Sequence, residues 1–202
     1  MLKVFQLVFS PTTAWAKIAE TQRSVIVVFL LNSLPLMLCG AALEGWGLRK
    51  LGVFTGELDR VKPIPLPLDR VIRFEVFHLV MDLLLLFLAA KLLEWMFESF
   101  HSRSKFLPAF TTMAYSLGPF FVARGLAGIP SLNTWVCFAF SILLALHVLY
   151  YGVGVVMQPD QTKGFGLFVS GALAMVILAG LCHFMGVFAL QGRILPALLQ
   201  LR

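Results

Sequence analysis

The sequence predicts an all-α polytopic membrane protein, a bundle of five transmembrane helices preceded by a short interfacial helix. Three observations predict it. Of the 202 residues, 59% are apolar and only 13% charged, against about 45–50% and about 25% in ordinary soluble domains. Mean hydropathy is +0.90. The apolar residues form five continuous runs and do not alternate with period two. Only helices and closed barrels satisfy every backbone group in lipid, and continuous runs favour helices.

A helix needs about 20 apolar residues to cross a hydrocarbon core of about 30 Å. The runs that meet this are Ser24–Leu43, Val76–Phe97, Leu107–Ile129, Leu132–Met157 and Phe165–Leu190. Gly128-Ile129-Pro130-Ser131 alone separates the third from the fourth, so these two form a tight antiparallel hairpin. Nothing in the pattern marks an internal repeat or a second domain, and residues 1–202 read as one transmembrane domain. The first 20 residues lack the compact apolar core and small-residue cleavage site of a signal peptide.

Before the first span, Ser10 followed by Pro11 is a helix-start signal. Trp15, Ile18 and Ala19 share one side of the helix that follows, with Lys17 and Glu20 away from it. Such a helix either lies in the interface, anchored by Pro11 and by Trp15 at headgroup depth, or is the stem of the first span. The one long connection is Trp46–Glu75. Its alternate prolines, Pro63, Pro65 and Pro67, require an extended backbone. Asp69 is expected to N-cap a helix from Arg70 to Ser99, which is roughly 45 Å long at 1.5 Å per residue.

The net charge of +6 would suggest nucleic acid in a soluble protein. Here the basic residues sit at span ends, where they meet headgroups, and no basic groove with interleaved aromatics exists, so no nucleic acid is expected. Five spans would put Lys3, Lys17, Arg23, Arg103, Lys105 and Lys163 on one side. Arg49, Lys50, Arg60, Lys62, Arg70, Arg73, Arg193 and Arg202 would be on the other. That division, even with Glu57, Asp59, Asp69 and Glu75 in the first long loop, does not orient the chain. Cys39, Cys137 and Cys182 lie in separate apolar runs and read as small hydrophobes.

Ionisable groups inside a span are costly and each needs a reason. The second span holds His78, Asp82, Lys91, Glu94 and Glu98. His78 and Asp82 share a face, and Lys91 can pair with Glu94. Asp82 and Lys91 point in opposite directions, so Asp82 needs a partner elsewhere, and Arg124 of the third span is the candidate. His147 and His183 complete a candidate intramembrane polar site of His78, Asp82, Arg124, His147 and His183. One reading is a proton or ion path or a ligand pocket, and the other is helix-packing pairs. These ligand types lie on separate helices with no paired spacing, so no metal and no cofactor is expected. No HExxH or GxSxG constellation occurs, and no catalytic residue is expected. Gly118 and Pro119 should bend the third span, and Gly152 and Gly154 should let the fourth approach a neighbour closely.

Several motifs in order carry a resemblance: Phe9-Ser10-Pro11-Thr12 with Trp15; Ala114-Tyr115-Ser116-Leu117-Gly118-Pro119; Leu149-Tyr150-Tyr151-Gly152-Val153-Gly154; and the polar link Pro159–Gly164. Together with five spans in about 200 residues, they resemble the Yip domain family, the Ypt/Rab-interacting-protein type of multipass membrane proteins, in its short prokaryotic branch. The resemblance implies a bacterial cytoplasmic (inner) membrane and a cytosolic amino terminus. The long polar segment associated with Rab-type GTPase binding in eukaryotic members is not present ahead of the first span, so such binding is not expected.

The function expected is therefore that of a non-catalytic integral membrane protein. Its partners would be the lipid bilayer and other membrane proteins or copies of itself. The alternative is a small oligomeric transporter or channel that uses Asp82 and His78.

Overall fold

In the computed structural model, residues 2–21, 23–53, 63–100, 106–160 and 162–190 are described. Seven helical elements follow in chain order. They are α1 Leu2–Phe9, α2 Pro11–Thr21, α3 Val25–Lys50, α4 Leu68–Phe100, α5 Phe106–Gly128, α6 Thr134–Met157 and α7 Gly164–Leu190. The last five are long and apolar enough to cross a membrane. Of the charges counted above, Glu57, Asp59, Arg60, Lys62, Arg103, Lys105, Arg193 and Arg202 lie outside the described residues, as does the side chain of Lys3.

The third span, α5, is the centre of the bundle. In its most apolar stretch 72% of the residues are buried, against 33% to 44% in the other spans. Phe110, Met113, Leu117 and Phe121 are all sealed from outside. The other spans show large apolar side chains outward, Leu31, Val80, Leu143 and Leu173 among them. In an integral multi-pass membrane protein that surface meets lipid, which removes the cost such a patch carries in water.

Several boundaries differ from those read in the sequence. The first span does not stop at Leu43 but runs on to Lys50, because Glu44 and Gly45 are buried against neighbouring helices instead of facing water. The second helix starts at Leu68, where the Pro67 carbonyl accepts from Val71 N. Asp69 therefore sits in the first turn and pairs with Arg73 rather than capping. The extended run before it is pinned twice: Ile64 bridges antiparallel to Val53, and Leu66 N donates to the Leu48 carbonyl. Gly52, at φ +85°, makes the turn into that bridge, a conformation open to glycine without strain.

The amino-terminal segment corrects the expectation most. It holds two short helices, and Trp15 faces the inside of the bundle and not the surrounding lipid. Its ring is fully buried, its Nε1–H donates to the Val148 carbonyl at 3.0 Å, and its edge meets Tyr115. Gly152 makes this possible, since a Cβ there would strike the Trp15 ring. Gly154 has no such duty, because a Cβ at that position meets open space.

Candidate functional site: a buried ionic cluster

The site begins with a break in α5. Pro119 has no N–H to donate to the Tyr115 carbonyl, and a proline inside a helix kinks it. The helix turns at Leu117, resumes over Gly118–Ala123 and tightens to a 3-10 turn over Arg124–Gly128. That tightened turn carries Arg124 into the bundle, where its side chain is 7% exposed.

The face of α3 opposite this turn is built for close approach. Gly40, Glu44 and Gly47 are four and three residues apart, so they share one side of the helix. A Cβ at Gly40 would strike the backbone carbonyl of Phe121, and one at Gly47 would strike the backbone of Gly128. Gly125 and Gly128 press back from α5 against Leu43 and Glu44. Small residues on both surfaces let backbones meet, and the charged side chain among them, Glu44, is directed at Arg124.

Arg124 is the hub. Its Nε lies 2.8 Å from Glu44 Oε2, an ion pair whose angle is too poor for a hydrogen bond. One terminal nitrogen donates to Glu75 Oε2 at 2.8 Å, and the other donates to Asp82 Oδ2. Asp82 thus has the partner its position demanded. His78 does not turn to Asp82: its Nδ1 faces Glu44 Oε2 at 3.4 Å, and its ring packs on Phe74. The far edge of that ring abuts Gly186 of α7, so any side chain there would displace it. Glu44, His78, Asp82 and Arg124 are all at most 9% exposed.

His183 stands beside the cluster, half-buried and stacked on Phe138 at 4.7 Å between ring centres. With His78, Asp82 and Arg124 it lines a water-sized cavity of about 20 Å³. A larger cavity of about 200 Å³ reaches the cluster from the end of the bundle that carries the first loop. Glu44, His78, His183 and Gly186 form its inner wall, and Val53, Pro130 and Leu190 are among its other lining residues. His147 is elsewhere, exposed on α6 with its ring edge-on to Tyr151. Lys91 and Glu94 pair with each other at 2.5 Å, away from the cluster.

Of the five residues grouped from the sequence, the structure brings four together and leaves His147 out. Two that the grouping lacked, Glu44 and Glu75, supply three of the four ionic contacts around Arg124 and His78.

The Yip1 domain pattern matches residues 5–183. The chain belongs to the Yip1 family. The match runs from within α1 to His183 in α7, so it includes every residue of the cluster. No curated protein and no solved structure matches the chain. As a Yip1-family protein with five membrane-crossing helices, it is an integral multi-pass protein in contact with lipid.

Proposed function

We propose that this Yip1-family protein is a non-catalytic membrane protein that organises lipid, and that the surface it uses is a groove between its first two spans. The observation that carries this reading is the groove itself. It has a volume of about 420 Å³ and runs between α3 and α4 past Leu38, Ala42, Trp46 and Val76, with Arg49 and Lys50 at one end. From Leu38 to Lys50 a helix rises roughly 18 Å at 1.5 Å per residue, about the depth of one leaflet of a core about 30 Å thick.

An apolar trough ending in two cations suits a phospholipid with a negative headgroup: the acyl chain lies along Ala42 and Val76, and the phosphate meets Arg49 and Lys50. Trp46, which is 60% exposed, sits where an indole favours the headgroup boundary. With the amino terminus cytosolic in a bacterial inner membrane, as the family resemblance implies, the basic end faces the outer leaflet. The ionic cluster behind the groove then serves to hold α3, α4 and α5 in register, so that the trough keeps its shape.

The test is native mass spectrometry of the full-length protein released from mixed phosphatidylglycerol and phosphatidylcholine bilayers. One anionic lipid is expected to be retained preferentially. Ala42→Trp should abolish retention, and Arg49→Glu with Lys50→Glu should remove the preference for anionic lipid. Retention unchanged in both variants, or pH-dependent ion flux through vesicles by the purified protein, would overturn the reading.

A further inference from the structure

The ionic cluster contains more negative charge than it needs. Arg124 contributes one positive charge, whereas Glu44, Glu75 and Asp82 together contribute three negative charges when ionised. Uncompensated charge in a low-dielectric interior is expensive. A divalent cation would bring the sum to zero.

The geometry leaves a place for one. Three atoms sealed from outside lack a hydrogen-bond partner, and they come from three adjacent residues: Glu44 Oε2, Glu75 Oε1 and His78 Nδ1. Ligand atoms of these same three residues lie within 4.8 Å of one another. Glu44 and His78 are 4% and 7% exposed. Glu75 and His78, three apart on α4, share a face, and Glu44 comes from α3 opposite. Arg124 donates hydrogen bonds to the other oxygen of Glu75 and to Asp82 and pairs with Glu44 Oε2 only through Nε at 2.8 Å, so it leaves Glu75 Oε1 and His78 Nδ1 free and would share Glu44 with the cation. The ring of His78 is held by Phe74 and Gly186 with Nδ1 toward Glu44. The cavity of about 200 Å³ whose wall includes Glu44 and His78 supplies an entry path from the first-loop end. His183 lines that cavity as well, and its Nε2 is also without a partner.

We infer that Glu44, Glu75 and His78 form a binding site for one divalent transition-metal cation. One imidazole nitrogen with carboxylate oxygens is a donor set suited to Zn²⁺ and its first-row neighbours, and it offers no thiolate to select softer ions. The site is separate from the lipid groove, although Glu75 borders both, and the inference does not depend on lipid binding.

The experiment uses the full-length protein in mild detergent, stripped with EDTA and then given Zn²⁺ alone. Bound metal is counted by mass spectrometry of the eluted protein, and affinity is read by competition with a chromophoric chelator. One Zn²⁺ per chain and a higher thermal midpoint are expected. Glu75→Gln and His78→Gln, which nearly preserve size, should each weaken binding more than tenfold, while His147→Ala leaves it unchanged. Should either variant fail to elute as a single species, Co²⁺ added to the unaltered protein gives a second readout: a visible absorption band of nitrogen and oxygen ligation is expected. No metal retained by the unaltered protein would overturn the inference and assign the charge balance to protons. Metal retained equally by Glu75→Gln and His78→Gln would overturn it by placing the ion elsewhere.

Discussion

Glu44 Oε2 lies 2.8 Å from Arg124 Nε, joining the first span to the third inside the bundle. The same arginine holds Glu75 and Asp82 on the second span. Three helices therefore meet on one guanidinium, whose planar fork of donors suits several carboxylates at once.

Removing that guanidinium should be costly. Breaking a buried pair by deleting one partner leaves the other charge uncompensated, at about 3–5 kcal/mol. Arg124→Met keeps the bulk and loses the charge. Thermal unfolding of the full-length protein in detergent should show a large drop, far beyond that of Lys91→Met, whose partner Glu94 lies away from the cluster.

The Trp15 contact predicts a graded loss. Trp15→Phe deletes the donor to the Val148 carbonyl, at about 1 kcal/mol, and adds a smaller packing loss because phenyl is smaller than indole. Trp15→Ala also empties a fully buried site and should cost about 3–5 kcal/mol. Equal stability of all three proteins would place the indole outside the bundle.

The glycines divide in the same way. Gly40→Ala drives a methyl into the Phe121 carbonyl. Neither side of that contact is a flexible side chain, so the cost should fall in the range of about 1–3 kcal/mol seen for overpacking. Gly154→Ala meets nothing and should leave stability within about 0.5 kcal/mol. Chemical unfolding of the two variants side by side checks the contrast.

Gly186 gives an independent handle on His78. Gly186→Ala pushes the imidazole away from its place beside Glu44, while His147→Ala touches only an exposed ring. The first should lower the thermal midpoint and the second should not.

Much of this was legible in the sequence. Five apolar runs gave five spans, because a crossing helix must be both long and apolar. Asp82 needed a distant partner by helix geometry alone, and Arg124 was the cation available. The Gly118-Pro119 pair marked the break that aims Arg124 inward. Glu44 and Glu75 escaped because they lie just beyond the apolar runs, where a carboxylate ordinarily meets water. Only tertiary contact between α3, α4 and α5 turns them inside, and no local pattern carries that. The misplaced Trp15 has a related cause: an apolar helix face reads the same whether it rests on lipid or on protein. Gly152, two residues from the open Gly154, was the local sign of a ring packed against α6, but the sequence does not separate the two.

Arg124 and Asp82 act on each other within one cluster. A double-mutant cycle of Arg124→Met and Asp82→Asn, read by unfolding of the full-length protein in detergent, measures this directly. The loss caused by Arg124→Met should shrink when Asp82→Asn is also present, with a coupling energy of about 1 kcal/mol or more. Losses that simply add, to within about 0.3 kcal/mol, would contradict it.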